Sequence, residues 1–151
     1  MPDVFTKAKR SEVMRRIRSH GNAATELRLM ALMRKAGIKG WRRQVSLPIH
    51  APRSQGRVRP DFVFRQQRAA IFVDGCFWHG CPRHATRPKQ NRTFWDAKIT
   101  RNQARDRLVT RALRKLGWTV LRIRECALAK KQQNRTLARL RHALACQSGG
   151  E

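Results

Sequence analysis

Two aspartates and a histidine in the middle of the chain are residue types that suit metal-assisted hydrolysis. Asp61 stands in the segment RPDFVF, and Asp74 ends the segment IFVD, five residues before His79. A carboxylate on one strand and a second group on the next can hold Mg²⁺ beside a phosphodiester, where the ion acidifies a water. An imidazole can take a proton from that water near neutral pH. These residues predict a hydrolytic site, although Asp74 in an Asp-Gly pair could instead merely shape a turn.

Two further acids interrupt the apolar faces of predicted helices. Glu26 shares a face with Met30 and Met33, and the face around Asp106 consists of Ile99, Asn102, Asp106, Val109 and Leu113. A buried carboxylate without a partner costs on the order of several kcal/mol. Each acid should therefore meet a cation, a water or a basic side chain. A structural ion pair with one of the many arginines is an equal alternative.

Three cysteines and a histidine have the types and spacing of metal ligands. The segment CFWHGCPRH contributes Cys76, Cys81 and His84, and Cys126 follows the last predicted strand. Three thiols and one imidazole make a complete tetrahedral set for structural zinc, which leaves no open position for a substrate. His79 is an alternative to His84 as the fourth ligand, but we prefer His84 because His79 is assigned to the hydrolytic site. The alternative is that these are ordinary thiols.

Large aromatic residues lie close to these polar residues in the sequence. Phe77 and Trp78 lie in a loop between two glycines, and Trp95 lies near the start of a long helix. Such residues belong to the core, or they stack on bases or wedge between them. The residues alone leave both interpretations open.

The elements that position these residues follow from periodicity and from glycine and proline placement. The predicted order is α-α-β-β-β-α-β-α, with helices over 23–36, 92–116 and 127–145 after a basic N-terminal helix within 8–20, and strands over 41–47, 61–65, 69–74 and 118–124. Residues 66–68 are predicted to link a hairpin, and 48–59 to form a loop near phosphate. This order indicates the α/β class, a mixed central sheet flanked by helices. We expect a single domain over 1–151 with a frayed tail over 147–151.

The charge points to a polyanionic partner. Among 151 residues, 35 are Lys or Arg and 9 are Asp or Glu, a formal net charge of +26. Nucleic acid is favoured over an anionic membrane surface, and no stretch approaches the roughly 20 apolar residues that span a bilayer. The N-terminal MPDVFTKAKR lacks the apolar run of a signal peptide, so we expect a cytoplasmic protein with reduced cysteines. A ribosomal-type protein that only binds RNA is the alternative.

Five segments carry a family resemblance. In order they are SEVMR, ATELRL, RPDFVF, IFVDGCFWHGC and FWDAKITRNQARDRLVTRALRKLGWTVLRIRECAL. They resemble the very-short-patch-repair (Vsr) DNA mismatch endonucleases, and the resemblance runs over about 7–127 without a break in order. It implies a fold similar to type II restriction endonucleases and a monomer that nicks one strand of duplex DNA 5′ of the T in T·G mismatches. Such mismatches arise when 5-methylcytosine deaminates, and mismatch-repair proteins are implied as further partners at the nucleoid.

The resemblance also implies a role for each matching residue. Asp61 matches the aspartate that binds Mg²⁺, His79 the general base, and Glu26 and Asp106 the acids that hold metal-bound waters. The structural zinc ligands correspond to Cys76, Cys81, His84 and Cys126. The residues assigned to DNA, by wedging beside the mismatch, inserting near it or contacting it, are Met14, Phe77, Trp78, Trp95 and Asn102.

The sequence departs from the family pattern at one point. Asp74 stands where the family has a second histidine, and Val73 stands in place of a threonine. The main-chain carbonyl of Val73 can still bind Mg²⁺, and Asp74 becomes a candidate direct ligand. Three hypotheses follow: a mismatch-nicking endonuclease, a nuclease of restriction or defence without mismatch preference, and a zinc-stabilised nucleic-acid-binding protein without catalysis.

Overall fold

The computed structural model describes residues 6, 8–9, 25–51, 54–76, 81 and 90–145. The helices are α1 (Glu26–Lys35), α2 (Arg92–Lys115) and α3 (Gln133–Ala145), with two short 3₁₀ turns at Glu125–Leu128 and Lys130–Gln132 before α3. The strands are β1 (Trp41–Arg42), β2 (Leu47–Ala51), β3 (Ser54–Val58), β4 (Phe62–Phe64), β5 (Ala69–Asp74) and β6 (Thr119–Arg124). No helix in this described part is both long enough and apolar enough to cross a membrane.

Four of the strands form a mixed sheet in the order β1-β4-β5-β6. β4 runs antiparallel to β1 and β5, whereas β5 and β6 are parallel and are connected through the long helix α2. A parallel pair needs such a crossover, because its second strand must start at the same edge as the first. The predicted mixed α/β sheet flanked by helices is confirmed.

Alternation along the strands sends side chains to two separate cores. Phe62, Phe64 and Ile71 face the side covered by α1 and α3, together with residues such as Leu29 and Leu140. The intervening residues face the opposite side, which is covered by α2 and the β2–β3 hairpin: Val63, Ala70, Phe72 and Val120 pack there against Val109 and Leu113. Because β4 and β5 are buried on both faces, their sequences are nearly continuous apolar runs.

The structure corrects the prediction between β1 and β4. The predicted strand over 41–47 ends at Arg42, and Gln44 has φ 61, a left-handed conformation that interrupts a strand. The predicted loop over 48–59 is instead the hairpin β2–β3, in which Leu47 pairs with Val58. Pro48 is tolerated because the hairpin is only two strands wide.

The other boundaries agree more closely. The hairpin link at 66–68 is confirmed, with Arg68 at φ 49. The long helix ends at Lys115, shortly before Gly117, whose φ of 86 favours glycine. The predicted helix over 127–145 was wrong at its start, because the chain passes through the two 3₁₀ turns before Gln133. Most of the predicted N-terminal helix within 8–20 and the whole tail over 147–151 lie outside the described residues.

Candidate active site

The candidate site lies where the α2-facing side of the sheet changes from apolar to polar. Along this face, Asp74 follows Phe72 at two-residue spacing on β5, and Arg122 follows Val120 in the same way on β6. An open cleft of about 780 Å³ lies there, and we call it the central cleft. Among its lining residues are five of the predicted site residues: Asp61, Val73, Asp74, Asn102 and Asp106.

Asp61 is fixed by the neighbouring strand. It immediately precedes β4, and its Oδ2 accepts a hydrogen bond of 2.7 Å from the main-chain N–H of Val73 on β5. The antiparallel register that pairs Phe62 with Ile71 brings these two positions together. The carboxylate therefore lies beside the main chain of Val73, as the proposed Mg²⁺ ligands require.

Asp74 is the buried last residue of β5 and is held by an arginine. Arg122 Nη1 donates to both of its carboxylate oxygens, at 3.0 Å to Oδ1 and 3.2 Å to Oδ2. The strand assignment and this ion pair speak against the alternative in which Asp74 only shapes a turn. A metal ion that binds Asp74 would therefore compete with Arg122 for its carboxylate oxygens.

Asp106 reaches the same arginine from α2. Its Oδ1 lies 3.4 Å from Arg122 Nη1, and its main-chain carbonyl accepts a hydrogen bond of 3.3 Å from Arg122 Nη2. Arg122 Nε donates to Thr110 Oγ1 at 2.9 Å, and the guanidinium lies 4.4 Å from the ring centroid of Phe72. One guanidinium therefore orients two carboxylates on different elements.

Glu26 is placed apart from this group. It is only 3% exposed, and its Oε1 accepts a hydrogen bond of 2.7 Å from Arg43 Nε. It does not line the central cleft as described. The structure shows, for both Glu26 and Asp106, the arginine ion pair that the sequence left open as an alternative, and their roles toward metal-bound water stay predictions.

Sequence reasoning missed both arginine partners. With 35 Lys and Arg in the chain, nothing in their type distinguishes Arg43 or Arg122. The sequence holds a signal for Arg122 alone. In the strand segment TVLRIR, Arg122 lies two residues after the core residue Val120. Because side chains alternate along a strand, Arg122 is expected on the same inward-facing side as Val120.

Three thiols meet where β5 and β6 end. The Sγ atoms of Cys76, Cys81 and Cys126 all lie within 4.8 Å of one another, and those of Cys81 and Cys126 are 4.0 Å apart. Cys76 follows β5 and Cys126 lies in the 3₁₀ turn after β6, so the parallel pairing brings them to one edge of the sheet. Cys81 N–H donates to Cys76 O at 2.9 Å, which closes the loop between the first two.

The geometry of the three thiols fits a tetrahedral metal. Zn–S bonds of about 2.3 Å at tetrahedral angles place two sulfurs roughly 3.8 Å apart, close to the spacing between Cys81 and Cys126. Burial raises the pKa of the Cys76 thiol to about 12, and its neighbouring thiols add to the rise. A thiolate would thus need a bound cation to be stable here. The predicted fourth ligand His84, and its competitor His79, lie outside the described residues.

The aromatic residues assigned to DNA are only partly described. Trp95 is buried at 8% exposure, packs edge-to-face on Phe94 at 5.4 Å, and lies 5.4 Å from Lys98 Nζ. Phe94, which the sequence interpretation overlooked, is 54% exposed beside it. Phe77, Trp78 and Met14 lie outside the described residues, and Asn102 is half-buried on the wall of the central cleft.

Comparison with known proteins gives the family. The family described as DNA mismatch endonuclease Vsr matches residues 2–85. The chain is also 39% identical over 134 residues to DNA mismatch endonuclease Vsr of Escherichia coli (strain K12), which covers 88% of this chain and 80% of that protein. This chain belongs to the Vsr family. It is thus a nuclease that hydrolyses DNA phosphodiester bonds, and Vsr endonucleases are metal-dependent.

Type II nicking enzymes are further relatives. V.NmeAIP of Neisseria meningitidis serogroup A is 36% identical over 134 residues, which is 87% of each chain. V.NaeI of Lentzea aerocolonigenes is 48% identical over 69 residues, which cover 46% of this chain and 42% of that protein. The similarity to V.NaeI thus concerns about half of the chain, whereas the similarity to Vsr of E. coli extends over most of it.

Proposed function

We propose that this Vsr-family chain nicks one strand of duplex DNA on the 5′ side of the T in a T·G mismatch, with Mg²⁺ as its cofactor. The observation that carries the proposal is the central cleft, where three carboxylates, Asp61, Asp74 and Asp106, line one space. Three arginines outside the acid network, Arg57, Arg59 and Arg105, line it too and attract a phosphodiester. Oxygen ligands beside cationic groups suit a magnesium-dependent attack on DNA.

In this proposal, Asp61 and the main-chain carbonyl of Val73 would hold Mg²⁺, with Asp74 as the candidate second carboxylate. When bound, the ion neutralises charge on the phosphoryl oxygens and acidifies a water. The hydrogen bond from Val73 N–H keeps the Asp61 carboxylate oriented before the ion arrives. His79 would accept a proton from the attacking water, and Asp106 would hold a further water in the cleft. The same role is proposed for Glu26, although Glu26 does not line the central cleft.

The remaining parts of the proposal concern support and selectivity. Cys76, Cys81 and Cys126 bind structural zinc with His84, which fastens the loop after β5 to the end of β6. The wedge is assigned to Phe77, Trp78, Trp95 and Met14. Unstacking one base step costs about a few kcal/mol, and least at a mismatched step, so a wedge favours T·G sites.

The same proposal includes the larger setting. The fold is of the restriction-endonuclease type, the chain acts as a single-domain monomer at the nucleoid, and its substrate arises from deaminated 5-methylcytosine. What supports the fold is the mixed sheet that presents acids at one strand end beside a long helix. Mismatch-repair proteins are its expected partners.

The test is strand-resolved cleavage of a T·G duplex and a fully paired duplex with Mg²⁺, using wild type and Asp61→Asn. We expect a nick in the T strand of the mismatched duplex alone, and a loss of about a thousandfold or more in rate for Asp61→Asn, since the metal contributes several kcal/mol. Asp96→Asn is the matched control, because Asp96 lies on α2 and does not line the central cleft. Wild-type rates for Asp61→Asn would show the mechanism to be wrong.

A second candidate is a nuclease of restriction or defence without mismatch preference. It is favoured by Asp74, because a second carboxylate in the cleft approaches the two-aspartate arrangement of restriction enzymes. Cutting of both duplexes at similar rates would support it. Binding of both without product under any divalent metal would instead support the zinc-stabilised binding protein, at odds with its family.

A further inference from the structure

A second cleft lies on the other side of the Asp74–Arg122–Asp106 network. It has a volume of about 950 Å³ and opens between α2, β6, the 3₁₀ turns and α3. We call it the basic groove, because five exposed cationic side chains line it: Arg107, Arg124, Lys131, Arg135 and Arg139. The predicted catalytic constellation makes no use of these five residues.

The charge in the basic groove is unbalanced. Within the described part of the chain, the carboxylates on its wall are Asp74 and Asp106, and Arg122 binds both. The five remaining cations therefore create a strongly positive concave surface, where low-dielectric walls concentrate the field. Such a surface suits a polyanion more than a neutral or cationic ligand.

One cationic side chain on the wall of the basic groove is held in place by a hydrogen bond to the main chain. Arg139 Nη2 donates a hydrogen bond of 3.3 Å to the main-chain carbonyl of Arg122 on β6. Arg135 and Arg139 lie four residues apart on α3, so they follow one face about 6 Å apart. That separation equals one to two nucleotide steps, since DNA carries a charge about every 3.4 Å per strand.

The basic groove and the central cleft share one wall, formed by Asp74, Asp106 and Arg122. The two clefts are therefore adjacent, which is the arrangement that one DNA duplex with its scissile phosphate beside Asp61 would need in order to contact both. We propose that the basic groove binds the phosphate backbone of this same DNA duplex, beyond the phosphate that is cut. The inference rests on DNA being the substrate, as proposed above, but not on mismatch recognition or on Mg²⁺.

The test compares two charge-matched double variants. Lys131→Gln with Arg135→Gln removes two cations from the groove, whereas Arg101→Gln with Arg141→Gln removes two exposed cations that line neither cleft. Binding of a fully paired duplex is measured over a salt series without divalent metal. We expect the slope of log K against log salt to shrink by about 1.8 in the groove variant, and by much less in the control, because each lost phosphate contact contributes about 0.9.

Phosphate-ethylation interference on a duplex with one T·G pair gives the position of the contact, and this part of the test alone uses the mismatch specificity proposed above. We expect interference at phosphates that flank the cleavage site with wild type, and its loss in the groove variant. Arg124→Gln tests the strand side of the groove separately and should reduce the slope by about 0.9. Equal slopes for the two double variants, or an unchanged interference pattern, would overturn the proposal.

Two further measurements separate the alternatives. If the groove variant bound DNA like wild type but lost binding to phosphatidylglycerol vesicles, the groove would serve a membrane surface and the proposal would be overturned. Cleavage by Asp61→Asn tests the proposed function on its own, since that variant changes product formation and leaves the salt slope unchanged. A failure of one proposal is therefore distinguishable from a failure of the other.

Discussion

Arg122 determines the arrangement of the central cleft at the scale of single residues. Its guanidinium binds Asp74 and Asp106, and its side chain is 21% exposed while that of Asp74 is 12% exposed. Removing the arginine would leave two carboxylates close together without their shared cation. We expect Arg122→Met to lower the free energy of unfolding by about 2–3 kcal/mol, somewhat less than a fully buried pair because of the residual exposure. Urea denaturation measures this.

The design of that experiment separates the ion pair from packing. Asp74→Asn combined with Arg122→Met should recover part of the loss, because the double variant no longer leaves Asp74 as an uncompensated charge. Arg124→Met on the same strand is the control, since Arg124 is exposed and should change stability by less than about 0.5 kcal/mol. Additive losses in the double variant would contradict the coupling.

Substitution of Glu26 distinguishes a structural role of its carboxylate from a catalytic one. Its carboxylate is buried against Arg43, and Glu26→Gln keeps the shape and one oxygen acceptor but removes the charge. If the role is catalytic, we expect Glu26→Gln to reduce the single-turnover rate at least tenfold beyond any change in unfolding free energy. A purely structural ion pair instead predicts a loss of stability with an unchanged rate at a temperature where both proteins are folded. Arg43→Gln is the matched variant for the pair.

At the scale of elements, parallel pairing of β5 with β6 brings Cys126 to the two cysteines that follow β5. Metal binding at this edge would join the ends of both strands, and its free energy would count as folding free energy. We therefore expect Cys126→Ser to lower bound zinc and the unfolding temperature together, measured by metal analysis and calorimetry. Cys146→Ser is the control, because that cysteine is outside the proposed ligand set. Full zinc occupancy in Cys126→Ser would refute the ligand assignment.

The elements also show how far the sequence alone could go. The buried strands β4 and β5 were predictable because their apolar runs are short and contain β-branched and aromatic residues. The long helix was predictable because a 3-and-4 apolar stripe is followed by Gly117. The hairpin β2–β3 was not, since Pro48, Gly56 and several arginines resemble a loop unless one knows that Leu47 and Val58 pack on α2. Its stability comes from tertiary contact, which local propensity does not express.

In the candidate site, too, one part could be predicted from the sequence and another could not. The acids on apolar faces could be recognised, because a charge at a core-facing position is costly and therefore conspicuous. Their partners could not be named, since the choice of Arg43 for Glu26 and Arg122 for Asp106 depends on which elements become neighbours. Spacing along the chain does not contain that distance information.

For the whole molecule, the formal charge of +26 opposes folding through self-repulsion. Salt screens this repulsion, because the Debye length falls from roughly 10 Å at about 0.1 M to roughly 3 Å at about 1 M. We expect NaCl over this range to raise the unfolding temperature in calorimetry, by about 2–4 °C for each kcal/mol gained. The same salt should weaken DNA binding, so the free chain becomes more stable while the complex dissociates. An unfolding temperature that falls with salt would mean that local pairs such as Arg122–Asp74, and not the net charge, dominate the electrostatic free energy of folding.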